Sequence, residues 1–105
     1  MTTVNITASD GRYSIYAHGH SGYAECGSDI VCAAISGALG LAVQTVYNLE
    51  RDGILSDVTC NAGDGMQKLE FSGGGVARAL FASICQIIGQ VAAQFPENVA
   101  IREGL

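Results

Sequence analysis

The sequence predicts a single α+β domain, a two-layer sandwich with two helices on one face of a roughly five-stranded mixed sheet, in the order ββαββαβ. Three observations predict it. Five short segments carry the apolar–polar alternation or β-rich composition of strands. Two longer segments repeat apolar residues at three- and four-residue steps, the stripe of an amphipathic helix. A length of 105 residues supports one hydrophobic core and no second, so residues 1–105 form one domain. Apolar residues are 49% of the chain and charged residues 14%, enough to bury a core and unlike a disordered chain.

Taken in order, Val4, Ile6 and Ala8 alternate with Thr3, Asn5 and Thr7 in a first strand. Asp10-Gly11 is a hairpin signal between alternating runs. The second strand runs from about Arg12 to His18, with Tyr13, Ile15 and Ala17 on one face. Residues 19–27 carry three glycines and no periodicity, and read as a loop. A helix starts near Ser28 or Asp29, with Val31, Ile35, Leu39, Ala42, Val46 and Leu49 on its apolar face. Gly37 and Gly40 inside it are poor helix formers, costing about 1 kcal/mol each relative to Ala, and suggest close backbone packing. Arg51-Asp52-Gly53 ends it with a basic last turn and a glycine.

Val58-Thr59-Cys60 makes a short third strand, and Ala62-Gly63-Asp64-Gly65 turns the chain into a fourth, where Leu69 and Phe71 alternate with Lys68 and Glu70. Gly73-Gly74-Gly75 breaks that strand. The second helix has Ala77, Leu80, Phe81, Ile84, Ile87, Ile88 and Val91 on one side and Ser83, Gln86, Gln90 and Gln94 opposite. Phe95-Pro96 stops it, because the residue before proline disfavours helical backbone. Val99 and Ile101 belong to a last strand. The sheet face away from the helices carries few large apolar residues, Tyr16 and Met66 excepted, and a homodimer is one way to cover part of it.

A net charge of −5 argues against direct nucleic-acid binding, which needs a basic stripe to neutralise phosphates, and favours basic partners. No run approaches the roughly 18 apolar residues of a membrane span. The start of the chain, Met1 to Asn5, lacks the regions of a signal peptide. The expectation is a soluble, intracellular chain whose four cysteines, Cys26, Cys32, Cys60 and Cys85, are thiols. Cys60 falls in an alternating stretch and Cys85 on an apolar stripe, so both read as small core residues.

Cys26 and Cys32 lie close to both histidines, His18 and His20. With Asp29 as N-cap, its carboxylate accepts the N–H of Cys32 and sets that thiol in the first helical turn, where the dipole favours an anion. The negative charge of Asp29 acts in the opposite direction, so the cap alone does not make the thiol reactive. A strand end and a mobile loop return the chain to the edge where the helix begins, which lets His20 face Cys32 twelve positions on. Such a pair is the activated nucleophile of cysteine hydrolases, with helix-start N–H groups available to bind an oxyanion. Three other readings use the same atoms. Cys32 is a core thiol and His20 a loop residue; or His18, His20, Cys26 and Cys32 hold zinc, although no cysteine pair has zinc-finger spacing; or Cys26 and Cys32 form a redox sensor.

The stretch Gly19-His20, then Asp29-Ile30-Val31-Cys32-Ala33 and Ser36, closely resembles the ribosomal-processing cysteine protease family, Prp. The resemblance extends over most of the chain, through the glycine-bearing first helix to Gln94-Phe95-Pro96-Glu97-Asn98-Val99. It implies a small dimeric protease of the bacterial cytoplasm with no metal or organic cofactor. It implies removal of a short N-terminal extension from large-subunit ribosomal protein twenty-seven, a basic substrate, by a cut after a pair of aromatic residues. Cys32 corresponds to the nucleophile and His20 to the general base. Gly19, Asp29 and Ser36 match supporting positions, and the loop with Ser21, Gly22, Tyr23 and Gly27 orders over substrate. Ser21 departs from the usual Ala, a change confined to loop detail, and Cys26 falls at a variable position.

The roles of three residues stay open between function and architecture. Tyr23 closes over substrate or anchors its loop to the core. Ser36, one turn beyond Cys32, buttresses the site or permits close packing. Asp29 caps the helix or also orients His20.

Overall fold

The computed structural model describes residues 1–20, 22–25 and 29–104. Seven elements follow in the order ββαββαβ: β1 (Thr2–Ser9), β2 (Arg12–His18), α1 (Ile30–Arg51), β3 (Ser56–Gly63), β4 (Met66–Ser72), α2 (Gly75–Gln94) and β5 (Val99–Glu103). The sheet order is β3-β4-β2-β1-β5, with β5 parallel to β1 and every other pair antiparallel. The mixed sheet is therefore as expected.

The β1–β2 hairpin closes through Asp10 and Gly11, both at positive φ (51° and 77°), a backbone twist that matches that of paired strands. Its register pairs Val4 with Ala17 and Ile6 with Ile15, placing both pairs on the face the helices cover. Val31, Ile35, Leu39, Ala42 and Val46 of α1 and Ala77, Ile84 and Ile88 of α2 are buried against that face. The aromatic rings of Phe71 and Phe81 flank Tyr13, with centroids 5.6 and 4.9 Å from its own.

Several details depart from the sequence reading. Strand β3 begins at Ser56, ahead of the expected Val58, because a register shift between Ser56 and Thr59, with Asp57 at φ 52°, carries pairing past an irregularity. Leu55 joins the core just before it. Ile87 lies on the outer surface of α2, 46% exposed, rather than on its buried side. Cys60 and Cys85 are half-buried at the margin of the core, not inside it. Gly37 and Gly40 are not sites of close packing, since a Cβ at either meets nothing within 4 Å. Gly37 instead lines an apolar groove between the outer sides of α1 and α2.

By length and composition both helices are long and apolar enough to cross a membrane, although polar residues interrupt each and no unbroken apolar run approaches a span. In this fold each lays one side on the sheet, and that side supplies the core.

Candidate active site

The end of β2, the start of α1 and the β3–β4 turn meet at one edge of the sandwich. They enclose a cleft of about 290 Å³. Strand β2 contributes His18 and the residues that follow it, Gly19 and His20. Helix α1 contributes Cys32, Ile35, Ser36 and Leu39, while residues 62, 63 and 65–67 of the hairpin form the opposite wall. His20 and Cys32, twelve positions apart, thus line the same cavity. Ser36 joins them one turn along α1 from Cys32, as the helical spacing predicts.

The backbone explains why Gly19 stands where it does. Its φ is +91°, a region that L side chains rarely adopt, and a Cβ there would overlap the carbonyl oxygen of Met1. Its N–H donates to the carbonyl of Gly65 at 2.8 Å, carrying the β2–β4 ladder one residue past the His18–Met66 pair. His20 follows directly, exposed at the mouth of the cleft, with the edge of its ring against Gly65.

Asp29 is buried, and both of its carboxylate oxygens accept backbone N–H groups. Oδ1 takes Val31 and Cys32 at 3.0 Å each, and Oδ2 takes Tyr23 and Ala24 at 3.2 and 3.3 Å. One side chain therefore caps α1 and fastens the preceding loop to it. This cap changes the expected oxyanion donors: the N–H groups of Val31 and Cys32 point to Asp29 Oδ1, and that of Ala33 to its carbonyl oxygen at 3.1 Å. The first turn has these donors committed within itself.

Tyr23 packs edge-on against Phe95, with centroids 5.2 Å apart, so its ring ties the loop to the end of α2. Gly22 lies outside the cleft lining at φ +72°, with nothing near its Cα side. Ser21, Cys26 and Gly27 lie outside the described residues. His18 lines the cleft but also stacks on Tyr16 at 4.8 Å between centroids, and its Nε2 lies 3.4 Å from the side-chain nitrogen of Asn5. Among the described residues, no three His, Cys, Asp or Glu side chains gather as a metal would require. The fourth member of the two-His, two-Cys alternative, Cys26, is beyond them. Cys32, Cys60 and Cys85 form no disulfide with one another.

The residues missed in the sequence are those of the β3–β4 hairpin. Asp64-Gly65 reads only as a turn, and nothing local says that this turn folds back onto the end of β2. That placement follows from sheet order, which sets β4 between β3 and β2.

The family model for the cysteine protease Prp matches residues 1–100. The chain belongs to the Prp cysteine protease family. Solved structures agree in fold. The essential ribosomal processing protease Prp from S. aureus, in complex with a covalently linked product peptide, superimposes with a TM-score of 0.83 at 23% identity, over 99% of this chain and 100% of that one. The same S. aureus protease with a substrate peptide gives 0.69 at 20% identity over 99% and 100%. SMU.848 from Streptococcus mutans gives 0.72 at 23% identity over 98% and 93%. Among curated proteins, none matches the chain. Prp membership makes this chain a cysteine protease.

Proposed function

We propose that this Prp-family chain is a ribosomal-processing endopeptidase of the bacterial cytoplasm. It removes a short N-terminal extension from large-subunit ribosomal protein twenty-seven, with Cys32 as nucleophile and His20 as general base. The observation that carries the reading is the shared cleft: His20, just past the end of β2, and Cys32, in the first turn of α1, line one cavity. The S. aureus relative holds a covalently linked product peptide and, separately, a substrate peptide, which supports peptide cleavage in this fold.

In this mechanism His20 accepts the Cys32 thiol proton as the sulfur attacks the scissile carbonyl. The tetrahedral intermediate collapses to a thioester as His20 protonates the leaving amine. Water, deprotonated by His20, then hydrolyses the thioester and restores the thiol. The oxyanion is served by donors other than the N–H groups of Val31, Cys32 and Ala33 as they stand, since the cap holds those three. Ser36 stands one turn beyond the nucleophile, inside the cleft. A net charge of −5 steers a basic ribosomal protein toward the enzyme and repels bare RNA.

The proposal includes a homodimer. Five of the large apolar side chains left exposed among the described residues, Ile30, Leu41, Tyr47, Val76 and Ile87, are on the helices, and Leu41 and Ile87 line a groove of about 380 Å³ between α1 and α2. A second copy laid against this groove removes them from water.

The test is incubation with the extended ribosomal protein, followed by mass spectrometry of its N-terminus. Cys32→Ala abolishes cleavage with the fold intact, and His20→Ala slows it by about 10² or more. Chelation with EDTA leaves the rate unchanged. Turnover near the wild-type level in the His20 variant, or an intact extension after incubation with wild-type enzyme, overturns the reading.

A further inference from the structure

We propose that Gly65, in the β3–β4 turn, is a positioning residue for His20: the turn is a backbone shelf that sets where the imidazole stands in the cleft. The inference rests on His20 being the general base.

Two contacts come from this one residue. The Gly65 carbonyl accepts the Gly19 N–H at 2.8 Å and so fixes the backbone immediately before His20. The Cα side of Gly65 faces the ring itself: a Cβ there would stand 3.1 Å from Nε2, 3.5 Å from Cε1 and 3.7 Å from Cδ2 of His20. These atoms form the outer edge of the imidazole, so the tip of the ring rests on the glycine. Gly65 also holds φ at +67°, which glycine adopts without strain.

The response to an added methyl group follows from what it meets. At Gly19 the obstacle is the backbone of Met1, which has no easy way to yield. At Gly65 it is the far end of an exposed side chain. The lowest-cost relief is rotation of His20 away from the hairpin. A substitution here therefore displaces the base more than it disturbs the fold, and the loss appears in reactivity.

The chain contains its own control. Gly53, after the end of α1, has φ +76° and nothing within 4 Å of where its Cβ would be. Gly53→Ala suffers comparable backbone strain and leaves His20 untouched.

The experiment measures iodoacetamide alkylation at Cys32, localised by fragment mass spectrometry, across about pH 5 to 9. Gly65→Ala is expected to slow the reaction near neutral pH about tenfold, because the displaced imidazole no longer takes the thiol proton as the sulfur attacks. Gly53→Ala keeps the wild-type profile. In a His20→Ala background, Gly65→Ala adds no further loss, since residues that act through one another are not additive. Gly65→Asn is the second variant, as asparagine tolerates positive φ while still presenting a Cβ to the ring. A wild-type profile in both Gly65 variants, or an equal loss with and without His20, overturns the positioning role while leaving the base intact. Wild-type reactivity in His20→Ala alone overturns the catalytic reading itself, and the positioning role with it.

Discussion

The backbone N–H of Cys32 donates to Oδ1 of Asp29 at 3.0 Å, while the other oxygen of that carboxylate holds the loop at Tyr23 and Ala24. The proposed nucleophile is thus placed by a side chain three positions earlier, and the same side chain ties down the strand-to-helix connection. The cap and the loop anchor are one object.

Asp29→Ala removes the acceptor for four N–H groups. It is expected to lower stability by about 2 kcal/mol, the upper range for loss of an N-cap, because the group is buried. Urea unfolding measures the loss. Hydrogen exchange at Tyr23 and Ala24 should accelerate together with that at Cys32, as one carboxylate serves all three.

Gly19→Ala introduces a Cβ at φ +91° against the carbonyl of Met1. The cost is at least about 2 kcal/mol, from left-handed strain together with a backbone overlap. Both the urea midpoint and peptide turnover should fall. That joint loss contrasts with Gly65→Ala, whose obstacle is a side chain.

Burial pushes the Cys85 thiol above its ordinary range, and the nearby charge of Glu103 adds to the effect. The unfolded chain therefore releases this proton first as pH rises. The associated stability is present below the unfolded value of about 8.5 and is lost as pH climbs through the higher folded value. Urea midpoints should fall on moving into this alkaline range, and Cys85→Ala should reduce that fall. An identical pH dependence in the variant would exclude Cys85 as its source.

Leu41→Asp places a charge in the middle of the inter-helix groove, at a residue 71% exposed within a single chain. Analytical ultracentrifugation should show a dimer in the wild type and a monomer in the variant, with the circular dichroism of the helices unchanged. A monomeric wild type would remove the homodimer from the proposal.

Much of the fold was legible because each element announces itself locally. Asp10-Gly11 marks the first hairpin, the three- and four-residue steps from Val31 to Val46 mark α1, and Asp29 marks its start. The departures on the helices share one cause. Periodicity assigns a helical residue to the apolar stripe without saying how wide a stripe the sheet covers, so Ile87 was placed inward and stands outward. A glycine in a helix is likewise compatible with a close neighbour or with none, and Gly37 and Gly40 have none.

The sequence by itself determined the succession of strands and helices, the cap that sets Cys32 in a first helical turn, and the family through Gly19-His20 and the segment from Asp29 to Ala33. These are relations between residues near one another in the chain, where backbone geometry and hydrogen-bond reach act directly. Tertiary structure alone decided that β4 lies beside β2, that the β3–β4 turn forms the far wall of the cleft, and that Gly65 lies under the imidazole of His20. Those contacts join positions some forty-five residues apart, and they arise from pairing of whole strands across a sheet. The energy of that pairing is spread over many residues, so no single motif records it.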